Sequence, residues 1–279
     1  MNKSELISKF LEKGHLLSPS ILDQITEEKL NSIQPDKNSL VLSSFGSDEI
    51  AFSVKACNQL KSATVKDIAE YHTKKYNTIK DILASKLNPI SINKLPQSKG
   101  PTTIIGLVSG KGSFVIEDTT GKTEARFSGD TKQLKENSIL GFYGEFKGKE
   151  FLISSVYYPD IPLTKQIKKL DISIKFEKEN EAHKIIVNSE KEIPIRSTPA
   201  IVSIKKSAKI NILVFQPTEP MDKNQATETL KLRFLPEPKL PTEDYIISEE
   251  PDIFWIIQKD SWTENYKGVA IISGENTSI

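Results

Sequence analysis

The sequence predicts a multidomain α+β protein, in which a mainly helical N-terminal region precedes two β-rich domains. Three observations support this fold class. Apolar residues before position 88 follow a helical spacing, five short β-branched or aromatic runs fill residues 101–160, and further strand-like runs fill residues 161–279. At 279 residues, the chain is long enough for one large domain or for two or three small ones.

Residues 1–87 form the predicted helical region. The first turns place apolar side chains at the i, i+3, i+4 spacing of one helical face (Leu6, Ile7, Phe10, Leu11). Ser18 and Pro19 are suited to start a second helix. Thr64 and Asp67 match a capping box that opens a long helix, which we expect to end near Leu87. Residues 39–55 look extended instead. Residues 88–100 have no helical period and contain two prolines and a glycine, which indicates a linker.

Residues 101–160 have the pattern of a small β-barrel. The five runs are TTIIGLV, SFVIED, TEARFS, SILGFYGEF and FLISSVYY, and each is bounded by turn residues. The segment GDTKQLKEN, between the third and fourth runs, has room for one helical turn. Five strands with a helix between the third and the fourth is the order of an OB-fold, a five-stranded barrel that binds oligonucleotides in many proteins.

Residues 161–279 predict a β-rich C-terminal domain. Strand-like runs occur at DISIKF, HKIIV, PAIVSI, INILVF, DYIIS, DIFWII and GVAIIS, and the only helical candidate is KNQATETLKL. Two runs, INILVF and DIFWII, are apolar enough to be buried on both faces of a sheet. Immediately after the second run, the polarity changes to Gln258, Lys259 and Asp260. Ligands are commonly held at the carboxyl ends of such strands, so this turn is a candidate site.

The composition narrows the cellular context and the class of partner. The formal net charge is +1, whereas domains that bind nucleic acid through bulk charge are strongly basic. Charge is nevertheless uneven, with a net +5 over residues 161–213 and a net −6 over residues 214–279. Cys57 is the single cysteine, which excludes an intramolecular disulfide and fits a reducing compartment. With no apolar leader and no long apolar stretch, we expect a cytoplasmic protein with no membrane partner.

Catalytic motifs are missing from the sequence. The three histidines (His15, His72 and His183) are scattered, and no HxH, HExxH or DxH motif occurs. Neither does a GxSxG, GxxxxGK[ST] or GxGxxG motif. Cys57 has no nearby motif that could supply the partner of a catalytic nucleophile, so it fits a buried structural role better. We therefore expect no bound metal, no cofactor and no enzymatic activity.

Several stretches resemble one protein family. They are YNTIKDILASKLNPISINKL, IIGLVSGKG through EDTTGK, ILGFYGEFKGKEFLISSVYYPDIP, PAIVSIKKSAKINILVFQP, and the closing LKLRFLPEP with EDYIISEEPDIFWIIQKDSWTENYKGVAIISG. Together they resemble the small subunit of archaeal family D DNA polymerase and the B subunits of eukaryotic replicative polymerases. The resemblance implies a helical N-terminal region, an OB-fold and a calcineurin-like phosphoesterase domain. That domain is a metal-dependent 3′–5′ exonuclease in the archaeal proteins and is inactive in the eukaryotic ones.

Departures from the family pattern lie where metal ligands are expected. An active member needs several histidines and aspartates to hold two metal ions. By resemblance, Gln216 replaces a lone histidine, and Gln258 and Asp260 replace a closing histidine pair. The span between Asp160 and Pro199 is too short for the remaining ligand segments. The resemblance thus implies a shortened, inactivated phosphoesterase-like domain over residues 161–279.

The resulting expectation is a non-catalytic scaffolding subunit of a replicative DNA polymerase, bound to the large catalytic subunit and associated with the nucleoid. An alternative is a single-stranded DNA-binding protein that uses its OB-fold. Candidate stacking residues for that role are Phe114, Phe127, Tyr143 and Phe151, although residues 100–160 carry seven basic and eight acidic side chains. A residual metal-dependent nuclease is the third, least favoured alternative.

Overall fold

The structure is a computed structural model with mixed α+β architecture, mostly strands in several sheets. It describes residues 16–17, 41–42, 50–56, 63–110, 114–127, 129, 134–163, 165, 172–179, 182–206, 208–236 and 245–279. The chain divides into two compact units, Met1–Ala51 and Phe52–Ile279. In the first, β1 (Leu16–Leu17) pairs in parallel with β2 (Val41–Leu42). The two helices predicted before residue 39, His15 and Cys57 lie outside the described residues.

The long helix predicted after Thr64 is present as α1 (Val65–Ala84). Its capping box is complete, because the Thr64 hydroxyl accepts from the Asp67 N–H and the Asp67 carboxylate accepts from the Thr64 N–H. The apolar face of α1 packs on strands of the neighbouring barrel-like ring, where Ile79 and Leu83 meet Ile105. α1 is therefore part of the same compact unit as that ring.

The predicted linker contains a packed 3-10 helix, Ile92–Gln97. Its side chains Ile92 and Leu95 are buried in the core of the ring. The Ile92 N–H also donates to the Asp118 carboxylate at 2.9 Å. Pro96 and the neighbouring turn residues suppress a regular α-helical period, so the sequence pattern did not reveal this short packed element.

Residues 102–157 form five strands that coincide with the five predicted runs: β4 (Thr102–Ser109), β5 (Phe114–Asp118), β6 (Gly121–Phe127), β7 (Ile139–Lys147) and β8 (Glu150–Tyr157). They close into a ring in the order β4-β5-β6-β8-β7. All pairs in the ring are antiparallel except β6 with β8. The helical turn expected between the third and fourth strands falls mostly outside the described residues.

The interior of the ring is filled by alternate side chains of these strands, among them Ile104, Phe142 and Phe151, each fully buried. Ring closure brings β7 and β8 unusually close at Gly144, next to an irregularity in the pairing. A Cβ at Gly144 would lie 2.1 Å from the Leu152 carbonyl oxygen, so only glycine fits there.

Beyond the ring, two sheets stack on each other. A second helix, α2 (Lys223–Leu232), divides their strands into two groups. The strands before α2 are β9 (Ile174–Glu179), β10 (Ala182–Val187), β11 (Lys191–Ile195), β12 (Ala200–Lys205) and β13 (Lys209–Phe215). After α2 come β14 (Ile253–Ile256), β15 (Trp262–Tyr266), β16 (Val269–Ser273) and β17 (Thr277–Ser278). The smaller sheet has the order β11-β10-β9-β17. The larger has the order β15-β16-β14-β13-β12-β3, where β3 is Ala51–Ala56.

The runs INILVF and DIFWII are indeed buried on both faces, as β13 and β14, which pair in parallel. On one face, Trp255 packs against Phe176 of the smaller sheet, with ring centroids 4.7 Å apart. On the other, Phe215 and Phe254 pack with α2 (Lys223–Leu232). The predicted helix KNQATETLKL is therefore present. In the described part of the chain, no helix has the length and apolarity that a membrane crossing requires.

Asp160 joins the ring to the stacked sheets. Its N–H donates to the Lys231 carbonyl at 3.0 Å, and its carbonyl accepts from Lys86 of the segment after α1 at 3.1 Å. Its carboxylate accepts from the Tyr266 hydroxyl at 2.9 Å and the Lys267 ammonium at 2.5 Å. Three separate segments of the chain thus converge on one residue just after β8. We refer to this group of contacts as the Asp160 joint.

Burial strengthens the contacts of the Asp160 joint. Arg233 is almost fully buried, donates to Glu250 at 3.1 Å and lies 3.4 Å from the Asp160 carbonyl oxygen. Burial lowers the pKa of Arg233, while Glu250 opposes this shift. Burial, and then the hydrogen bond to Asp160, raise the pKa of the Tyr266 phenol. The joint is therefore a partly desolvated network, in which removal of one charge leaves others unpaired.

We predict that Asp160→Ala lowers the free energy of unfolding by about 2–3 kcal/mol, because charge-assisted hydrogen bonds to two side chains are lost. The matched control is Asp260→Ala, since Asp260 is exposed. We expect the control to change stability by less than about 0.5 kcal/mol. Urea unfolding followed by tryptophan fluorescence measures both. Equal effects of the two substitutions would contradict the role of the joint.

Candidate functional site

Beside Gln216, at the carboxyl end of β13, the structure has an open cleft of about 280 Å³, which Gln258, Lys259 and Asp260 do not line. We call it the strand-end cleft. Strand β13, the loop after it, α2 and the ring all contribute to its wall. Its lining residues are Lys135, Phe215, Gln216, Pro217, Thr218, Glu219, Pro220, Met221, Gln225, Glu228, Thr229, Pro236 and Tyr245. The position is the one at which open sheets commonly hold ligands.

Gln258 has a structural partner at this edge of the sheet. Its side-chain oxygen accepts from the Met221 N–H at 2.8 Å, and its side-chain NH₂ donates to the Met221 carbonyl at 2.9 Å. Both residues are buried. The amide therefore satisfies both backbone groups of Met221, just before the N-terminus of α2, and connects that loop to the end of β14. An ionised carboxylate, which only accepts hydrogen bonds, could not satisfy both a donor and an acceptor in this way.

Gln216 points to a different partner. Its side-chain oxygen lies 3.2 Å from Nε2 of His183, on strand β10 of the smaller sheet. His183 is buried beside Trp255, with ring centroids 6.4 Å apart. In the described part of the chain, Nδ1 of His183 is buried without a hydrogen-bond partner. No sequence pattern connects His183 with Gln216, because 33 residues separate them.

The electrostatics around His183 favour the neutral ring. Burial lowers the pKa of His183 from its ordinary value of 6.5, and the nearby Lys178 lowers it further. The hydrogen bond to Gln216 and the charge of Glu275 act in the opposite direction. Lys178 and Glu275 form an ion pair at 2.6 Å beside the imidazole. A neutral imidazole in this setting supports packing between the two sheets.

Asp260 is exposed, and its backbone carbonyl accepts from the Ser273 hydroxyl. Gln216, Gln258 and Asp260 thus all lie near the carboxyl ends of β13 and β14, but each is engaged differently. Within the described ranges, no three His, Cys, Asp or Glu side chains are grouped closely enough to hold a metal ion. Amide side chains are weak ligands beside imidazole. The geometry here favours hydrogen bonding and packing.

The four aromatic residues proposed to stack on DNA differ in exposure. Phe151 is fully buried in the ring core, because the alternation of β8 turns this side chain inward, and it offers no surface to a base. Phe114 and Phe127 are half-buried and pack against the same core. Tyr143 is 39% exposed and stays available at the surface.

The ring has a second concave surface, which we call the ring cleft, of about 620 Å³. It is lined by Ile92, Asn93, Leu95, Pro96, Val115, Gly121, Lys122, Thr123, Glu124, Phe146, Gly148 and Lys149. Sequence reasoning missed Phe146, a half-buried aromatic residue that lines the same cleft as the exposed Lys122 and Lys149. The only signal for it was its place in the run SILGFYGEF.

The chain has a distant relative among known proteins. The chain is 22% identical over 221 residues to the DNA polymerase II small subunit of Archaeoglobus fulgidus. The aligned region covers 72% of this chain and 45% of that protein, so the chain spans less than half of its relative's length. No family model matches the chain. The similarity links this chain at a distance to polymerase small subunits, in agreement with the resemblance seen in the sequence.

We predict that Gln258→Leu destabilises the protein by about 2–4 kcal/mol, because it leaves the buried N–H and carbonyl of Met221 unsatisfied. Gln97→Leu is the matched control, since Gln97 is exposed in the 3-10 helix. We expect the control to stay within about 0.5 kcal/mol of the parent. Chemical denaturation measures both, and a Gln258→Leu protein as stable as the control would contradict the structural role of Gln258.

We also predict that stability falls as the pH drops below 6.5. The folded-state pKa of His183 is depressed, so the unfolded chain binds more protons at acidic pH. The contribution of His183 is fully present above pH 6.5 and is lost as the pH falls toward the depressed value. Thermal melting between pH 7.5 and pH 5 should show a smaller acid loss for His183→Gln than for the parent. An unchanged pH profile in this variant would contradict the assignment.

Proposed function

We propose that this protein is a non-catalytic accessory subunit of a replicative DNA polymerase, which binds the large subunit as a scaffold. The similarity to a polymerase small subunit over 221 residues carries the proposal. The order of the five-stranded ring supports it, since this is the strand order expected of an OB-fold. The ring followed by a strand-rich half also matches the domain order of that family.

The strand-end geometry supports a non-catalytic role. A two-metal phosphoesterase needs several His and Asp ligands around one point. Here the expected positions carry Gln216, Gln258 and Asp260, and the two amides engage His183 and Met221. We therefore propose that residues 161–279 are an inactivated phosphoesterase-like domain, whose surfaces serve for binding to a protein partner.

Co-purification from the native cell tests this proposal. We expect a tagged chain to retain a DNA polymerase large subunit at near-equal amounts through gel filtration in moderate salt. In parallel, the purified chain should not degrade 3′-labelled single-stranded DNA with Mn²⁺ above the level of an Asp260→Ala variant, whose exposed substitution leaves the fold intact. Absence of any polymerase subunit would refute the scaffold role. Manganese-dependent digestion by the parent chain alone would refute the non-catalytic assignment.

The ring cleft favours a second candidate function, binding of single-stranded DNA. Phe146 offers a stacking surface for a base, and Lys122 and Lys149 in the same cleft can contact phosphates. Glu124 in the same cleft weakens the electrostatic attraction. The balanced charge of residues 100–160 also argues against strong binding. This function is therefore secondary to the scaffold role.

Fluorescence anisotropy with labelled oligo(dT) tests the second candidate. If the ring cleft binds DNA, Phe146→Ala should weaken binding by about 10-fold, the order expected for loss of one stacked base. Tyr157→Ala is the matched aromatic control, because Tyr157 is exposed but does not line the cleft, and it should have no effect. Affinity that is absent at physiological salt, or equally reduced by both substitutions, would exclude the ring cleft as a DNA-binding site.

A further inference from the structure

The strand-end cleft has a rigid apolar floor. Phe215 and Tyr245 meet edge to face, with ring centroids 6.1 Å apart. Three prolines, Pro217, Pro220 and Pro236, complete the apolar part of the lining. Proline fixes its own backbone torsion φ, so the loops that form this wall lose little conformational entropy when a ligand binds. The floor suits the aliphatic stem of a long side chain.

Acidic groups stand at the edge of this floor. Glu219 is exposed and Glu228 is half-exposed, and both line the cleft. The cleft already accommodates one ammonium group, since Nζ of Lys135 lies 2.8 Å from Oε2 of Glu228. Among the lining residues, two carboxylates (Glu219 and Glu228) stand against one ammonium (Lys135), so the charge of the lining is net negative. The phosphates of a nucleic acid would be repelled here, whereas a lysine or arginine side chain would be attracted.

We infer that the strand-end cleft is a docking site for a lysine- or arginine-bearing segment of a protein partner. The inference rests on the proposed function, under which that partner is the polymerase large subunit. The aliphatic stem of the basic side chain lies on Tyr245 and the prolines, and its charged end meets Glu219. The face of an aromatic ring beside a cation adds to the attraction. The surface is thus used for recognition, at the edge where related sheets hold ligands.

A charge-reversal series tests the cleft directly. The probes are a fluorescein-labelled GPRPKG peptide and its acidic counterpart GPEPEG, measured by anisotropy with the full chain. We expect the basic peptide to bind more tightly than the acidic one, and Glu219→Lys to weaken its binding by about five-fold. Glu219→Gln, which keeps the size of the side chain, should have an intermediate effect. Glu190→Lys, an equal charge change in the exposed turn between β10 and β11, is the control and should leave binding unchanged.

Site-specific photo-crosslinking then identifies the occupant in the assembled complex. With a benzoylphenylalanine at position 218, we expect a cross-link to a Lys- or Arg-containing peptide of the polymerase large subunit, and with the same group at position 190 we expect none.

If the subunit co-purifies but position 218 gives no cross-link to it, the docking inference is wrong while the proposed function stands. If no polymerase subunit co-purifies, the proposed function fails, and the peptide series alone decides whether the cleft binds basic chains. Equal binding of both peptides, or no effect of Glu219→Lys, would overturn the inference.

Discussion

The interaction on which the second unit depends is the Asp160 joint. One residue just after the ring accepts hydrogen bonds from Lys86, Tyr266 and Lys267 and donates to the Lys231 carbonyl. Other contacts between the two parts include the insertion of Leu232 into the ring core and the more exposed ion pair of Lys135 with Glu228. Hydrophobic contacts hold surfaces together without fixing their orientation, whereas directional hydrogen bonds to one partly desolvated carboxylate fix it. The joint therefore determines where the strand-end cleft lies relative to the ring.

That fixed arrangement explains how a sheet edge of this kind can serve recognition. Gln258 connects the loop before α2 to the end of β14, and Gln216 connects β13 to the smaller sheet through His183. Polar groups at the end of these strands are consequently used for internal hydrogen bonds. What stays open is a cleft whose floor is apolar and whose rim is acidic. A scaffold subunit needs such rigid surfaces, because a preorganised wall reduces the entropic cost of binding.

Sequence reasoning predicted the elements in which local pattern and tertiary packing agree. The ring strands, α1 with its Thr64 capping box, and the doubly buried β13 and β14 all follow strong periodicity or turn signals. It missed β11, because Pro194 within that strand lacks an N–H and argues against a strand unless the strand lies at an edge, as β11 does. It also missed the engagement of Gln216 by His183, since a contact between two sheets leaves no periodic trace in the chain. The residues of the strand-end site were predicted, but their partners were not.

Native-state hydrogen exchange tests most directly whether the ring and the stacked sheets form one cooperative body. The informative amides are those of Ile104 and Phe142 in the ring and of Val214 and Trp255 in the larger sheet, all of buried residues. If the Asp160 joint couples the two parts, the slowest amides of both should exchange with the same opening free energy, the global one. Ring amides that open at a free energy several kcal/mol below those of the sheet would contradict this account.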